Sequence, residues 1–479
     1  MMDFELGEEF APDALGAAGV LETGTDPGYV YPEDPASRAA LERWQDHKVG
    51  VIIHWGIYSS IGQDGSWSLH RERLGGFTDP PDDWEGGDAE YHSWYRDQAR
   101  RFTGEAFDAE AWARACADAG MRYLVFTTKH HDGFAMYDTD YSNFKATAED
   151  SGLGRDVVRE VFDAFRARGL DTGVYFSKAD WNHPGYWDRA KPLKDRFHNY
   201  DIDARPAKWR SFVDYTKNQI EELLMRYGTI NVLWLDAGWV RAPYEPIDMD
   251  RIADRARELQ PGILVVDREV HGRNEDYRTP EQEVPGELLD YPWESCITMG
   301  RGWCAMRHDD PIKPMRHLID NLLAIVSRGG NYLIGIGPDA DGRMPDEVKR
   351  GLSELGAWMR INGEGIYASR PWEGASGLRG SQGGNWYATR SRDDGALVHL
   401  FGIPPRDPAD AGMETFEAPG IPSTSITVPG RVSSVRILGD EGVHAELITD
   451  GGDPDEASTR IVLPATRCSY AIGLALEFA

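Results

Sequence analysis

Six short apolar runs recur along the first three quarters of the chain and predict its framework. They are VGVIIHWG (49–56), YLVFTTK (123–129), DTGVYFS (171–177), NVLWLDA (231–237), ILVVDRE (263–269) and GGNYLIGIGP (329–338). Nearly continuous apolar runs of this length are typical of strands in a parallel sheet, because both faces of such a sheet are buried. We therefore predict a parallel sheet whose helices lie on the outside.

The segments between these runs carry apolar residues at helical spacing. Positions 157, 158, 161, 162 and 165 are Val or Phe, and this stripe ends before Gly169, the residue type expected after a helix. The same arrangement precedes Gly120, Gly228 and Gly329. Strand, helix, glycine and strand again is the βαβ repeat of an α/β protein.

Two architectures use this repeat, the doubly wound sheet and the (β/α)8 barrel. The repeat occupies about 330 residues, which favours a (β/α)8-like TIM barrel with long loops. The first strand also lacks the G-x-G-x-x-G turn of a dinucleotide-binding fold. We predict an acidic lead-in over 1–35, the barrel over 36–370, and a C-terminal β-sandwich over 371–479, where strand-length segments are separated by turns.

Charge and cysteine usage narrow the classes of partner. The chain of 479 residues has 80 acidic and 51 basic residues and a formal net charge of −29, which argues against nucleic acid or anionic lipid as a partner. The N terminus lacks the basic region of a signal peptide, and no stretch reaches the ~18 apolar residues of a membrane span. Four scattered cysteines indicate neither a disulfide framework nor a zinc site, so we expect a cytoplasmic location.

Polar side chains gather where the predicted strands end. The first strand ends in His54-Trp55, the second in Lys129-His130-His131-Asp132, the third in Tyr175, the fourth in Asp236 and the fifth in Arg268. In a barrel the carboxyl ends of all strands surround one mouth, and chemistry is done there. The sequence therefore predicts one concave site that receives these side chains.

Local interpretations of these residues differ. His130 and His131 suggest a metal site, but neighbouring strand residues point to opposite faces, so they would not chelate one ion unless the strand has already ended. The alternative is that they are histidines hydrogen-bonded in a packed rim. Asp236 is either the N-cap of a following helix or a carboxylate held in the mouth.

Tryptophans near the mouth favour a sugar as the ligand. Trp55, Trp181, Trp234 and Trp239 lie near strand ends, and flat rings beside carboxylates and histidines suit a molecule with both C–H faces and hydroxyls. Cleavage of a glycoside needs a second carboxyl group besides Asp236. The candidates on or after the fifth strand are Glu269, Glu281 and Glu294.

At these residues the sequence resembles the α-L-fucosidases of glycoside hydrolase family 29. The matching pieces are HWGIYS (54–59), FTTKHHDGFAMYDT (126–139), GVYFS (173–177), LWLDAGW (233–239), DREVHGRNEDYRTPEQE (267–283), WESC (293–296) and NLLAIVSRGGNYLIGIGPDADG (321–342). Their order and spacing also resemble the family, over roughly residues 40–365. Together these motifs are specific, although HWG or GGNYL alone would not be.

The resemblance implies a barrel followed by a β-sandwich and a retaining exo-hydrolase that releases terminal α-L-fucose. It implies Asp236 as the nucleophile and Glu281 as the acid/base, with Glu294 as the competitor for that second role. The residues implied to hold the sugar are His54, Trp55, His130, His131, Tyr175 and Arg268. No metal or organic cofactor is implied, the partner is a fucosylated glycan or glycoside, and a homo-oligomer is compatible with the family.

The chain also departs from the family pattern. Some relatives carry S-E-W-Y where this chain has HSWY (92–95), so Ser93 is interpreted as the replacement of a sugar-contacting glutamate. An α-L-galactoside therefore stays open as a substrate. A transglycosylase would use the same residues, and a non-catalytic sugar-binding protein on the same fold is the rival from another class.

Overall fold

The computed structural model describes residues 28–70, 84–191, 195–268, 272–304, 311–403, 405, 423–440, 442–451, 457–466 and 468–479. Most of the predicted lead-in over 1–35, and Glu269, lie outside the described residues. Within this part of the chain, one parallel sheet forms the first layer of the fold. Its strands are β1 Val49–Ile53, β2 Tyr123–Lys129, β3 Asp171–Ser177, β4 Val232–Asp236, β5 Leu264–Val266, β6 Glu294–Thr298 and β7 Asn331–Ile336.

Helices surround this sheet. They are α1 Pro35–His47, α2 Ile57–Ser60, α3 Asp88–Asp97, α4 Ala109–Asp118, α5 Val157–Ala167, α6 Pro206–Arg226, α7 Met249–Leu259, α8 Met315–Ser327 and α9 Asp346–Asn362. Helix α5 illustrates the local logic, because the Asp156 side chain caps its N terminus by accepting the Arg159 N–H at 3.1 Å. The glycine predicted to follow this helix, Gly169, has φ +78°, a conformation that costs least for glycine.

The strands are buried on both faces, which accounts for their continuous apolar sequences. One set of side chains fills the barrel and includes Ile52, Val125, Tyr175, Trp234 and Leu333. Three residues of α1, Ala40, Leu41 and Trp44, join this inner cluster. Helix α1 therefore covers the barrel at the amino ends of the strands and leaves the carboxyl ends open.

The barrel is not closed by the seven strands alone. The strand order is β5-β4-β3-β2-β1-β7-β6, and the segment 276–282 lies between the two edges. The Asp276 N–H donates to Val265 O on the β5 side at 2.9 Å, whereas the Glu294 and Cys296 N–H groups of β6 donate to the segment at 2.8 and 3.0 Å. The segment thereby takes the place of an eighth strand.

The C-terminal part is an antiparallel β-sandwich. One sheet has the order β12-β15-β10-β9-β8 and the other β11-β14-β13. These strands are β8 Ser369–Pro371, β9 Asn385–Ser391, β10 Leu397–Ile403, β11 Thr424–Pro429, β12 Val432–Ile437, β13 Glu446–Asp450, β14 Ser458–Leu463 and β15 Ile472–Phe478. Side chains of the sandwich, among them Phe401, Ile403 and Tyr470, belong to the same buried cluster as the barrel helices.

The predicted fold class, a barrel followed by a β-sandwich, is confirmed. Strand β6 was not predicted, because Glu294 and Ser295 interrupt its apolar pattern. The domain boundary near Arg370 stays a prediction, since β8 begins at Ser369 and already pairs with β9 of the sandwich. No helix in the described ranges is long and apolar enough to cross a membrane.

Candidate active site

A cavity opens at the carboxyl ends of the strands. It is lined by Ile52, His54, Trp67, His130, Tyr175, Trp234, Asp236, Gly238, Trp239, Arg268, Glu281 and Trp303. Six of the residues predicted to form the site are therefore brought together here, namely His54, His130, Tyr175, Asp236, Arg268 and Glu281. Their functional roles stay predictions.

Asp236 is the last residue of β4 and lies at the floor of the cavity. Its Oδ2 accepts a hydrogen bond from the Tyr175 hydroxyl and lies 3.8 Å from His131 Nε2, and its Oδ1 accepts one from Arg268 Nε at 3.3 Å. Burial by itself would raise the pKa of Asp236, but Arg268, His131 and Tyr175 outweigh it and hold this pKa well below its usual value. The carboxylate is thus ionised at neutral pH.

Arg268 joins the two candidate carboxylates. Its Nε donates to Asp236, and its second terminal nitrogen donates to Glu281. The remaining nitrogen donates to Thr279, at 3.1 Å to the carbonyl and 3.0 Å to the hydroxyl. The guanidinium carbon also lies 4.7 Å from the centroid of the Trp234 ring, within the range of a cation–π contact. Its position is therefore fixed from four sides.

Glu281 belongs to the segment 276–282 that closes the barrel. It forms a parallel β-bridge with Cys296 of β6, and the next residue, Gln282, donates its N–H to Cys296 O at 2.9 Å. These contacts hold the backbone of Glu281 against β6. The side chain is 12% exposed at the cavity, so it remains accessible to a ligand.

Glu294 occupies a different position from Glu281. It is fully buried at the start of β6 and accepts hydrogen bonds from the Tyr123 hydroxyl at 2.5 Å and from Trp234 Nε1 at 3.2 Å. Burial raises its pKa to about 7, although these hydrogen bonds act in the opposite direction. Glu294 does not line the cavity, because the Trp234 ring lies between.

Three buried imidazoles stand close to Asp236. Burial lowers the pKa of His54 and of His131 to about 3 and lowers the pKa of His130 well below its usual value. Ser66 Oγ lies 2.6 Å from His130 Nδ1, and Ser177 Oγ lies 2.6 Å from His131 Nδ1. At neutral pH these imidazoles are uncharged, with one donor and one acceptor each, and because Nδ1 of His130 and of His131 already pairs with a serine, Nε2 is the ring nitrogen that these two histidines have left for a ligand.

A metal centre gains no support from this arrangement. Among the residues that the structure describes, no group of three or more His, Cys, Asp or Glu side chains is arranged to hold a metal ion. His130 and His131 instead make separate hydrogen bonds to two serines on different elements.

Of the residues predicted to hold the sugar, Trp55 and His131 do not line the cavity: His131 is buried beside Asp236, whereas Trp55 lies elsewhere. It is fully buried, stacks on Phe107 at 5.0 Å and donates its indole N–H to Asp339 O at 2.8 Å. The expectation that it lies beside the sugar is therefore not met. The side chain after a strand end points outward here, which the sequence alone does not reveal.

Two cavity tryptophans were missed, Trp67 and Trp303. They lie on loops after β1 and β6, and their only sequence signal is the residue type beside glycines. Ser93, interpreted as the substitute for a sugar-contacting glutamate, is exposed on α3 and does not line the cavity. Trp181 is buried behind the cavity, 4.9 Å from His131 between ring centroids.

Comparisons with known proteins agree with this geometry. The family model for Alpha-L-fucosidase matches residues 21–364. A plasma alpha-L-fucosidase of Rattus norvegicus is 31% identical over 350 residues, which are 70% of this chain and 72% of the relative. The structure of alpha-L-fucosidase isoenzyme 1 from Paenibacillus thiaminolyticus is 27% identical, with a TM-score of 0.72, and the match covers 93% of this chain and 100% of that one. A Thermotoga maritima alpha-fucosidase in complex with fucose is 26% identical, with a TM-score of 0.67, and the match covers 93% and 100%.

Proposed function

Because the chain belongs to the alpha-L-fucosidase family, glycoside hydrolase family 29, we propose that it releases terminal L-fucose from α-L-fucosides with retention of configuration. One observation carries the proposal. Two carboxylates, Asp236 and Glu281, face the same cavity and are bound by the same guanidinium. A pair of carboxyl groups flanking the scissile bond is what glycoside hydrolysis requires.

In the first step, Asp236 attacks the anomeric carbon while the bond to the leaving oxygen breaks. Glu281, protonated by solvent before this step, gives its proton to that oxygen, so the leaving group departs as a neutral alcohol and Asp236 becomes a glycosyl ester. In the second step, water attacks the same carbon, Glu281 takes its proton, and the ester bond breaks to restore the Asp236 carboxylate. The low pKa of Asp236 keeps it ionised for the attack.

The histidines beside Asp236 and the cavity tryptophans are proposed to bind the sugar. The neutral imidazoles of His54, His130 and His131 pair with hydroxyl groups, and Tyr175 and Arg268 hold Asp236 in line with the anomeric carbon. Trp67, Trp239 and Trp303 offer apolar faces to the C–H groups of the ring. Location in the cytoplasm and assembly into a homo-oligomer stay predictions.

The test is hydrolysis of an aryl α-L-fucoside by the purified protein, with the aryl α-L-galactoside in parallel. We expect release of the aryl alcohol from the fucoside with a chelator present, because every step uses side chains of this chain. Faster hydrolysis of the galactoside would make the α-L-galactoside the proposed substrate instead. Turnover of neither substrate would overturn the proposal and support a sugar-binding protein on this fold.

A further inference from the structure

A second cavity lies next to the first, on the side of β6 and β7. Its volume is about 450 Å³, within the range of roughly 300–1,000 Å³ that is typical of small-molecule sites. It is formed by residues 299–302, 304, 312, 335–337, 339 and 343–349. None of these residues has a part in the proposed chemistry.

Trp303 forms the wall between the two cavities. Its side chain lines the first cavity, while its neighbours Gly302 and Cys304 line the second. The ring lies against Gly335, where an added Cβ would come within 2.8 Å of it. One indole ring therefore separates the two cavities.

The wall is held in place by a buried carboxylate. Asp64, on the loop after β1, accepts the N–H groups of Trp303 at 2.7 Å and of Cys304 at 3.1 Å. Cys304 Sγ in turn accepts the Gly65 N–H at 3.2 Å. Asp64 is only 4% exposed. The division into two cavities is thus fixed by contacts between two loops.

The proposed acid, Glu281, lies on the side of the first cavity that is nearer to the second cavity. Glu281 pairs with β6, and the adjacent Gln282 side chain donates to Thr298 Oγ1, at the end of β6, at 3.1 Å. Asp236 lies on β4, and the Arg268 guanidinium bridges it to Glu281. Because the acid must touch the leaving oxygen, the leaving group emerges toward β6 and the second cavity.

The lining of the second cavity suits a neutral sugar ring. Its lysine and one of its arginines are neutralised locally, since Lys349 pairs with Asp346 at 2.5 Å and Arg343 with Asp341 at 2.6 Å. Apolar surface comes from Met299, Ile312, Ile336, Met344 and Val348. Paired charges beside apolar side chains fit hydroxyls and C–H faces better than a charged group.

We propose that this second cavity is the leaving-group subsite, which binds the neutral sugar ring to which the terminal L-fucose is attached. The inference rests on the proposed function and extends it from the L-fucose that is released to the sugar that is left behind. It predicts that the cavity affects the cleavage of oligosaccharides and leaves the cleavage of small aryl glycosides unaffected.

Gly300 offers the sharpest test because it lines the second cavity and has room. Among the described residues, an added Cβ would have only Pro311 O within 4 Å, at 3.8 Å. We expect Gly300→Tyr to lower kcat/KM at least tenfold for the faster wild-type substrate among 2′-fucosyllactose and 3-fucosyllactose. The aryl α-L-fucoside should change less than twofold, and the matched control Gly300→Ala should change neither.

A second substitution keeps the proposal testable if Gly300→Tyr does not fold. Arg343 is exposed on the opposite wall, so Arg343→Trp should narrow the cavity without disturbing the core, with the same selective loss. The control is Tyr244, a different surface residue that is 79% exposed on the loop after β4, and Tyr244→Ala should leave oligosaccharide cleavage unchanged.

Three results would each overturn the proposal. The first is a wild type that cleaves the aryl fucoside and neither oligosaccharide. The second is a set of folded cavity variants that keep oligosaccharide cleavage, and the third is a loss of this cleavage with Tyr244→Ala alone. Wild type that cleaves no fucoside would instead overturn the proposed function.

Discussion

Strained backbone coincides with the residues that bear the proposed chemistry. Among the described residues, seven other than glycine have positive φ, and three of them are Arg268, Ala237 and Gln282, at +52°, +67° and +52°. Ala237 follows Asp236, and Gln282 follows Glu281. Each such conformation costs on the order of 1 kcal/mol and persists only where the surroundings enforce it. The strain therefore aims the two carboxylates and the guanidinium at one point.

The nucleophile can be identified by chemical rescue. Asp236→Gly should lower kcat by at least about 10³-fold, because no glycosyl ester can form. Azide added to this variant should restore part of the activity by attacking from the vacated side, and the fucosyl azide should have the inverted configuration. The product's anomeric configuration by NMR is the measurement, and full activity of Asp236→Gly without azide would contradict the mechanism.

The roles of Glu281 and Glu294 can be distinguished by how each variant responds to the acidity of the leaving group. Glu281→Ala should keep the first step for aryl fucosides with acidic leaving groups, which need no proton, and should stall at the ester for want of a base. Azide should then release a product of retained configuration. The assignment would be wrong if Glu281→Ala behaved almost like wild type.

Glu294→Gln is the comparison for this experiment. Because Glu294 lies behind Trp234 and does not line the cavity, the variant should show no dependence on the acidity of the leaving group and no rescue by azide. Measurements across a series of aryl fucosides distinguish the two glutamates. Azide rescue of Glu294→Gln with retained configuration would transfer the acid/base role to Glu294.

At the scale of elements, the site depends on two connections between segments distant in the chain. The segment 276–282 carries Glu281 into the gap between β5 and β6, and the loop after β1 binds the loop after β6 through Asp64. The Asp64 hydrogen bond to Trp303 spans 239 residues of sequence. Both connections fix cavity walls that no single element would hold by itself.

Loss of the Asp64 carboxylate should loosen the wall formed by Trp303. Asp64→Ala leaves two buried N–H groups without their acceptor, and we expect a loss of about 1–3 kcal/mol in the free energy of unfolding. The KM for the aryl fucoside should rise more than kcat falls, since Trp303 is proposed to contact the sugar and has no proposed part in bond breaking. Urea unfolding and steady-state kinetics are the measurements.

Asp64→Asn is the matched control, because the amide oxygen can still accept both N–H groups. It should recover most of the stability and most of the original KM. An Asp64→Ala protein with wild-type KM would show that the loop contact does not shape the cavity.

At the scale of the whole molecule, the β-sandwich covers the outside of the barrel. Trp358 of α9 donates its indole N–H to Ala471 O at 3.2 Å, and the Tyr470 hydroxyl donates to Glu354 of α9 at 2.6 Å. Trp358 is only 1% exposed. The sandwich thus completes the burial of a helix that belongs to the barrel.

Removal of the sandwich should expose this helix. A chain that ends at Arg370 should aggregate or melt at least about 5 °C below the full chain, because apolar surface of α9 becomes accessible. Calorimetry and light scattering of both chains are the measurements. A soluble barrel with the melting temperature of the full chain would contradict the role assigned to the sandwich.

The sequence by itself determined six of the seven parallel strands, the helices between them and the mouth at which His54, His130, Tyr175, Asp236 and Arg268 meet. The physical reason is periodicity. An apolar run marks a buried strand, chain direction marks its carboxyl end, and parallel strands bring all such ends to one side. Residues at those positions converge irrespective of the conformations of the loops.

Only the tertiary structure decided what happens away from the strand ends. It placed Trp55 outside the cavity, brought in Trp67 and Trp303, buried Glu294 behind Trp234 and opened a second cavity beside β6. These outcomes depend on the direction of side chains in loops and on contacts between segments far apart in the chain, such as Asp64 with Trp303. Local periodicity carries no information about either, because loop geometry is set by the partners that the folded chain supplies.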